Sequence, residues 1–336
     1  MERRRASHDP NERGGDFWHR IRDWRVILAA VMNRRNFIGL STVAASLATA
    51  RGAAGVSAEQ PILAFGLITD VQYADADPEG ERHYRESIPK LKTAVAWLAE
   101  KNLPFTLHLG DFIDRDFAAF AAVLPLLDGL GHPVRHLLGN HDYTVADGEK
   151  CRVVSTLGMP HDYYQFRVRG ARFVMLDTND LSVYKYPRGS PPDLESEAVL
   201  EKLVAGKAGN ARPSVGGVSN NQLAWLGREL SAADAAKEPV ILCGHHPLLP
   251  ADGHHLWNNG AVIALIDRHP CVAAFFNGHN HAGAEVARNG VPYITFKSLL
   301  HEPATTAFSA VRLFADRLEI EGNGREKSRV IPLRRA

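Results

Sequence analysis

The sequence predicts an α/β domain with mixed β-sheets, and three features of its 336 residues indicate this class. Apolar runs of strand length alternate with amphipathic segments of helix length in the first part of the domain. The last part instead consists of paired strand-like runs joined by tight turns, which are typical of hairpins. With 45% hydrophobic and 23% charged residues, the composition is that of a globular protein and excludes a disordered or fibrous chain. Strands that alternate with helices and then finish as hairpins favour a mixed sheet.

The first part of the domain alternates strands with helices. Each predicted strand is a short apolar run, and each predicted helix carries apolar residues on one face. The predicted strands are Ile62–Thr69, Phe105–Leu109 and Val134–Leu138, and the predicted helices are Arg82–Lys101 and Phe117–Leu130. Gly131 is expected to end the second helix, because glycine readily adopts the backbone that follows a helix.

The second part contains a long connection between predicted elements. Prolines and glycines are frequent in Asp180–Gly217, which predicts a loop with a short helix near Glu195–Val204, of the kind that often shapes a binding site. The predicted helices that follow are Ser219–Lys237, opened by a capping box, and Asn259–Arg268. The predicted strands are Tyr164–Val168, Arg172–Leu176, Val240–Cys243, Val272–Phe276, Ala284–Arg288, Tyr293–Phe296, Ala310–Phe314 and Leu318–Ile320.

Charge is distributed unevenly along the chain, although the formal net charge is only +1. Residues 1–51 contain ten arginines and five acidic residues, whereas residues 52–336 contain 29 basic and 33 acidic residues. The basic excess therefore lies entirely in the N-terminal segment. A mildly acidic domain argues against a nucleic-acid binder that is held by bulk charge.

The N-terminal segment has the pattern of an export signal. Arg34-Arg35 precedes an uncharged apolar stretch, Phe37–Ala50, and small residues at Ala48-Thr49-Ala50 and Val56-Ser57-Ala58 fit cleavage sites. This order predicts a twin-arginine signal peptide over residues 32–58, recognised by the twin-arginine export machinery, and a periplasmic or otherwise exported protein. A stable membrane span is not expected, because fourteen helical residues are too short for a hydrocarbon core of about 30 Å.

The position of Met32 suggests where translation begins. Met32 stands two residues before the arginine pair, where a signal of this type would normally start. We therefore expect residues 1–31 to be an over-extended reading frame, and residues 59–336 to form the exported domain. A precursor that contained Trp18 would contradict this start.

Seven polar side chains stand at or just after the ends of predicted strands. They comprise two carboxylates, two amides and three imidazoles, and they are Asp70, Gln72, Asp111, Asn140, His245, His279 and His281. Open α/β sheets gather ligands at the carboxyl ends of their strands, so these side chains can converge on one crevice. Oxygen and imidazole ligands without thiolate suit Mn²⁺, Fe or Zn²⁺. The set predicts a two-metal site that activates water and binds a phosphoryl group.

Five sequence blocks together resemble the calcineurin-like metallophosphoesterase superfamily. The blocks are Asp70-x-Gln72, Gly110-Asp111, Gly139-Asn140-His141-Asp142, Gly244-His245-x-Pro247 and Gly278-His279-x-His281. The resemblance covers about residues 61–330, which is nearly all of the expected exported chain. It implies a four-layer αββα sandwich, in which two packed mixed β-sheets are flanked by helices.

The resemblance also implies a role for each motif residue. The first metal would be held by Asp70, Gln72, Asp111 and His281, with Asp111 bridging to a second metal completed by Asn140, His245 and His279. The metals would neutralise the phosphate and supply hydroxide. His141 would contact the phosphate and protonate the leaving oxygen, and Asp142 would orient that imidazole.

Gln72 departs from most of the superfamily, which has histidine in the first block. A neutral amide is a weaker donor, so either the first metal binds less tightly or Gln72 lies outside the ligand set. The Asp-x-Gln form, continued as Asp70-Val71-Gln72-Tyr73-Ala74-Asp75, resembles the manganese-dependent ADP-ribose/CDP-alcohol diphosphatase branch. Further blocks share this resemblance, namely Tyr84-Arg85-Glu86-Ser87, Gly216-Gly217-Val218-Ser219, Trp257-Asn258 and Glu302-Pro303. It implies two divalent ions, with Mn²⁺ favoured over Fe or Zn²⁺, and hydrolysis of the phosphoanhydride in a small nucleoside diphosphate conjugate.

Four aromatic residues stand beside motif residues and are candidates to stack on a nucleobase. They are Tyr73, Phe112, Tyr143 and Trp257. The alternative for each is a core or rim position, because an aromatic ring serves equally well in packing.

Two other functions remain open on the sequence alone. A general phosphomonoesterase or phosphodiesterase of the same superfamily would share the site chemistry and differ only in its pocket. A non-catalytic, metal-dependent binding module would be favoured by the loss of a ligand, but every motif position holds a coordinating residue.

Overall fold

The computed structural model describes residues 60–334. The predicted reading-frame extension at 1–31 and the predicted signal peptide at 32–58 lie outside the described residues. Within the described part, none of the helices combines the length and apolar character that a membrane crossing requires.

Twelve strands and six α-helices make up the regular structure of residues 60–334. The strands are β1 (Leu63–Ile68), β2 (Thr106–Leu109), β3 (Val134–Leu137), β4 (Tyr164–Val168), β5 (Ala171–Met175), β6 (Val240–Cys243), β7 (Val272–Asn277), β8 (Ala284–Arg288), β9 (Val291–Thr295), β10 (Ala307–Leu313), β11 (Arg317–Gly324) and β12 (Arg329–Pro332). The helices are α1 (Ser87–Ala99), α2 (Ala119–Val123), α3 (Val153–Thr156), α4 (Pro191–Ala205), α5 (Asn220–Ala236) and α6 (Asn259–Arg268).

The strands form two six-stranded mixed sheets. The first has the order β12-β11-β10-β1-β2-β3, in which β1, β2 and β3 are parallel and β10 to β12 are added antiparallel. The second has the order β4-β5-β6-β7-β9-β8, with a parallel centre and an antiparallel strand at each edge. The predicted mixed-sheet α/β class is therefore confirmed.

Aromatic side chains fill the space between the two sheets. The ring of Phe65 on β1 lies 5.2 Å from that of Phe173 on β5 and 6.4 Å from that of Phe276 on β7. Phe105, just before β2, stacks on Phe65 at 5.4 Å. All four rings are buried, so the two sheets share one apolar core.

Helices cover the outer face of each sheet. Successive side chains of a strand point to opposite faces, so one set packs between the sheets and the other packs against the helices. On β1, Gly66 faces Leu98 of α1, while its neighbour Phe65 faces the second sheet. On β5, Val174 belongs to a separate apolar cluster that it shares with Leu226 of α5, Ile266 of α6 and other buried side chains of the second sheet. The layer order is helix, sheet, sheet, helix, which confirms the expected four-layer sandwich.

Several elements differ from the sequence prediction. Helix α1 begins at Ser87 and not at the predicted Arg82, and β10 and β11 are longer than the predicted strands of the last hairpin. The segment predicted as one helix at Phe117–Leu130 is the short α2 followed by a 3-10 helix at Leu124–Leu130, which has a proline in its first turn. Helix α4 begins at Pro191, earlier than predicted, because proline is favoured in the first turn of a helix. Strand β12 was not predicted, since its short sequence contains a proline and alternates little.

Candidate metal centre

The carboxyl ends of strands from both sheets meet at one buried point. Asp70 follows β1, Asp111 follows β2 and His245 follows β6. Ligand atoms of these three side chains all lie within 4.8 Å of one another, and all three residues are buried. The structure thus brings together residues that are up to 175 positions apart in the sequence.

Asp111 is at the centre of this cluster. Its Oδ2 accepts a hydrogen bond of 2.8 Å from Nε2 of Gln72 and lies 3.2 Å from Nε2 of His245. Its Oδ1 accepts a hydrogen bond of 2.8 Å from the backbone N–H of His141. Burial would raise the pKa of Asp111, but the neighbouring His245 and His141 hold it well below its usual value. The carboxylate is therefore ionised and shared by groups from three different loops.

The remaining predicted ligands surround the same centre. Nε2 of His281 lies 3.4 Å from Oδ1 of Asp70 and 3.1 Å from Nε2 of Gln72. The backbone N–H of His279 faces the carboxylate of Asp70 at 3.3 Å, and Nδ1 of His279 lies 3.1 Å from Oδ1 of Asn140. All seven residues predicted to hold metal are thus linked in one network of contacts.

Three buried acceptor positions in this network fit a divalent cation. Nε2 of His245, Nε2 of His279 and Oε1 of Gln72 have no hydrogen-bond partner among residues 60–334. Leaving such groups unpaired in the interior costs free energy. Nδ1 of His245 lies 2.8 Å from the carbonyl oxygen of Leu109 and donates to it, so Nε2 is the ring nitrogen that is turned toward Asp111 and available to an ion. Imidazole nitrogens, amide oxygen and carboxylates form a donor set that suits Mn²⁺, Fe or Zn²⁺.

The backbone is strained where it presents these ligands. Four of the candidate ligands have positive φ values, in the left-handed region that residues other than glycine rarely adopt. The values are 52° for Asp70, 43° for Gln72, 58° for Asp111 and 66° for His279. Such strain clusters at functional sites, where the surrounding structure holds it in place.

Glycines next to the ligands allow the loops to approach closely. A Cβ on Gly139 would lie 2.0 Å from Oδ1 of Asp111, and one on Gly278 would lie 2.4 Å from Oδ2 of Asp70. Both distances are far below any real Cβ contact, so these two positions require glycine.

His141 stands beside the metal ligands with Asp114 as its carboxylate neighbour. Nδ1 of His141 lies 3.0 Å from Oδ1 of Asp114. The resemblance had implied that Asp142 orients this imidazole, but both Asp142 oxygens accept backbone N–H groups instead. These come from Gly139, Asp111, Phe112 and Ile113 at 2.8–3.2 Å. Sequence reasoning missed Asp114, although its position three residues after Asp111 places it in the same loop.

Three of the four aromatic candidates are core residues. Phe112 has none of its surface exposed and packs on the buried imidazoles of His108 and His136. Tyr143 and Trp257 are also buried, with 2% and 5% of their surface exposed. Rings without an exposed face cannot stack on a nucleobase, so the structure argues against this role for the three. Tyr73 is half-buried, and its role in stacking stays a prediction.

The site and fold define a metal-dependent phosphoesterase, and comparison with known proteins gives the same class. The model of the calcineurin-like phosphoesterase family matches residues 63–283. The chain belongs to this family. It is therefore a metal-dependent hydrolase.

The most similar relatives in this comparison share one name. The chain is 33% identical over 312 residues to the manganese-dependent ADP-ribose/CDP-alcohol diphosphatase of Oryza sativa subsp. japonica, covering 82% of this chain and 96% of the relative. It is 29% identical over 316 residues to the protein of the same name from Homo sapiens, covering 80% and 92%. A solved dimetal phosphatase from Danio rerio superposes with a TM-score of 0.74 at 28% identity, covering 82% of this chain and all of the other.

The close approach of Gly139 to Asp111 can be tested by Gly139→Ala. The added Cβ would displace the Asp111 carboxylate, and an overpacking cost of about 1–3 kcal/mol that falls on the site corresponds to metal binding that is weaker by about 5-fold to 150-fold. Manganese titration of the purified variant measures this. Gly148→Ala is the matched control, because a Cβ there has nothing within 4 Å. Equal manganese affinity in the two variants would contradict the steric argument.

Proposed function

We propose that this protein hydrolyses the phosphoanhydride bond of small nucleoside diphosphate conjugates, of the ADP-ribose or CDP-alcohol type. The observation that carries the proposal is the buried Asp111 cluster, in which unpaired acceptors come from the loops after three different strands. The substrate class is supported by the name that the relatives share. It is also supported by Gln72, the residue of the Asp-x-Gln form, which donates a hydrogen bond to Asp111 in the cluster. The products would be a nucleoside monophosphate and a phosphorylated sugar or alcohol.

Two divalent metal ions are part of this proposal, with Mn²⁺ favoured by the names of the relatives and Fe or Zn²⁺ as alternatives. Asp70, Gln72, Asp111 and His281 would hold one ion, and Asp111, Asn140, His245 and His279 the other. When bound, the ions would supply positive charge that neutralises the phosphates and lowers the pKa of water.

The chain itself contributes a proton donor beside the ligands. Oδ1 of Asp114 lies 3.0 Å from Nδ1 of His141. Burial would lower the pKa of this imidazole, but the carboxylates of Asp111 and Asp114 raise it above its usual value, so that both ring nitrogens can be protonated and Nε2 can donate its proton. Because the His141 backbone N–H is bound to Asp111, the imidazole is fixed relative to the metal-binding carboxylate. Such a donor protonates the leaving phosphate oxygen as the anhydride bond breaks.

A panel of phosphate compounds tests the substrate class. The manganese-loaded protein is assayed with ADP-ribose, CDP-choline, a bis-aryl phosphate and an aryl monophosphate, and a chelator-treated sample is the control. We expect the two anhydrides to be hydrolysed much faster than either ester, with AMP and ribose 5-phosphate formed from ADP-ribose, and no turnover after chelation.

Other results of this panel would point to the two alternative functions. Turnover of the monoester alone would contradict the anhydride assignment and support a general phosphomonoesterase. Tight manganese binding without turnover of any of the four compounds would support a non-catalytic binding module.

We also propose that the protein is exported by the twin-arginine route. The proposal is supported by Arg34-Arg35, the apolar stretch Phe37–Ala50 and the small residues before residue 59. The double substitution Arg34→Lys and Arg35→Lys in the full chain keeps the positive charge but removes the arginine pair. It is expected to abolish export, which cell fractionation measures. Export that is unchanged by this double substitution would contradict the route.

A further inference from the structure

The ring of His281 uses its two nitrogens in different directions. Nε2 faces the metal-binding cluster, at 3.4 Å from Oδ1 of Asp70 and 3.1 Å from Nε2 of Gln72. Nδ1 faces away from it, at 2.8 Å from Nε2 of His301. The two imidazole rings cross at 78° with centroids 4.5 Å apart, so they do not stack.

The neighbouring hydrogen bonds determine where the protons lie. Nε2 of Gln72 donates to Oδ2 of Asp111, so this atom is the amide nitrogen, and its second hydrogen is directed at Nε2 of His281. Nε2 of His281 is therefore the unprotonated nitrogen of its ring, and an unprotonated imidazole nitrogen is the form that a metal ion needs. The proton of His281 must then lie on Nδ1, where it is donated to His301.

Nε2 of His301 can accept this hydrogen bond because the proton of the His301 ring lies on its other nitrogen, Nδ1. With Nε2 of His301 acting as an acceptor, its hydrogen lies on Nδ1, which faces Oε2 of Glu81 at 3.4 Å. Donation therefore runs from His281 to His301, and the exposed Glu81 carboxylate lies within ion-pair distance of Nδ1 of His301. The tautomer of His281 is held by its hydrogen bond to His301.

The loop that carries His301 is fixed by buried contacts. The ammonium of Lys90 on α1 is buried and lies 2.6–3.3 Å from the carbonyl oxygens of four consecutive residues, Leu299, Leu300, His301 and Glu302. The backbone N–H of Leu300 donates to the carbonyl oxygen of Asp70 at 3.0 Å. His301 is thus held in register with the strand end that presents Asp70.

The two sides of the metal centre differ in how an imidazole is oriented. His245 donates its Nδ1–H to the backbone carbonyl oxygen of Leu109, whereas His281 donates to a side chain. We infer that His301 is a positioning residue for the metal ligand His281, fixing its tautomer and ring direction for the ion held with Asp70. This inference rests on the two-metal centre of the proposed function. It implies that the affinity for the ion held with Asp70 depends on the side chain of His301, which can be substituted.

Manganese titration of the full-length chain tests the inference, with free Mn²⁺ measured by electron paramagnetic resonance. In His301→Leu the acceptor is lost, and one ion should bind about tenfold or more weakly while the other keeps its affinity, as for loss of a group that supports a metal ligand. His301→Glu restores an acceptor and should return that affinity to within about threefold of the unchanged chain. His132→Leu is the matched control, because it removes an imidazole that is hydrogen-bonded to the Thr106 hydroxyl at 2.8 Å and not to a candidate metal ligand, and both ions should bind normally.

Each outcome has a distinct meaning. Normal binding of both ions to His301→Leu, or a weakening that His301→Glu does not reverse, would overturn the inference and leave the proposed function intact. Failure of the unchanged chain to bind two ions would overturn both. If His301→Leu does not fold, long-range ¹H–¹⁵N spectra of the unchanged, Zn²⁺-loaded protein decide, since a proton on Nε2 of His281 would exclude the inference and a proton on Nδ1 is expected.

Discussion

The carboxylate of Asp111 is buried where strand ends from both sheets meet, and the rest of the centre is arranged around it. A buried charge is tolerated only when it is paired and hydrogen-bonded. Asp111 meets this condition through the amide of Gln72, the imidazole of His245 and the backbone N–H of His141. These partners come from the loops after β1, β6 and β3, so the carboxylate joins both sheets at their functional edge.

This arrangement restricts the backbone around it. Several loops must pass within contact distance of one carboxylate, so Gly139 has no room for a side chain and Asp111 itself adopts a left-handed φ. The second acid of the region, Asp142, has a different task, because its oxygens bind four backbone N–H groups and hold these loops together. The buried carboxylate of Asp111 therefore faces the candidate metal ligands, while that of Asp142 holds the strained backbone that presents Asp111.

The layers and the clustering of the seven candidate ligands could be predicted from the sequence, because both depend on patterns that are local in the chain. Strand β6 has the predicted bounds, Val240–Cys243, since a short apolar run next to glycine has few alternatives. Side-chain direction in irregular loops has no such periodicity. Phe112 and Tyr143 adjoin motif residues in the sequence, yet both are buried in the core. The carboxylate that faces His141 belongs to Asp114, although Asp142 is the residue next to His141 in the chain. His301 contacts His281 only because the loop after β9 returns to β1, and no local signal reveals this contact.

We propose that Asp111 would be shared by two metal ions that act together. Manganese content and ADP-ribose turnover, measured in parallel on the unchanged chain and on Asp111→Ala, test it most directly, with the exposed Asp128→Ala as the control. We expect two ions per chain and turnover in the unchanged protein and in Asp128→Ala. In Asp111→Ala we expect the loss of the bound ions and of turnover. Asp111→Ala that keeps two tightly bound ions and near-normal turnover would contradict the account.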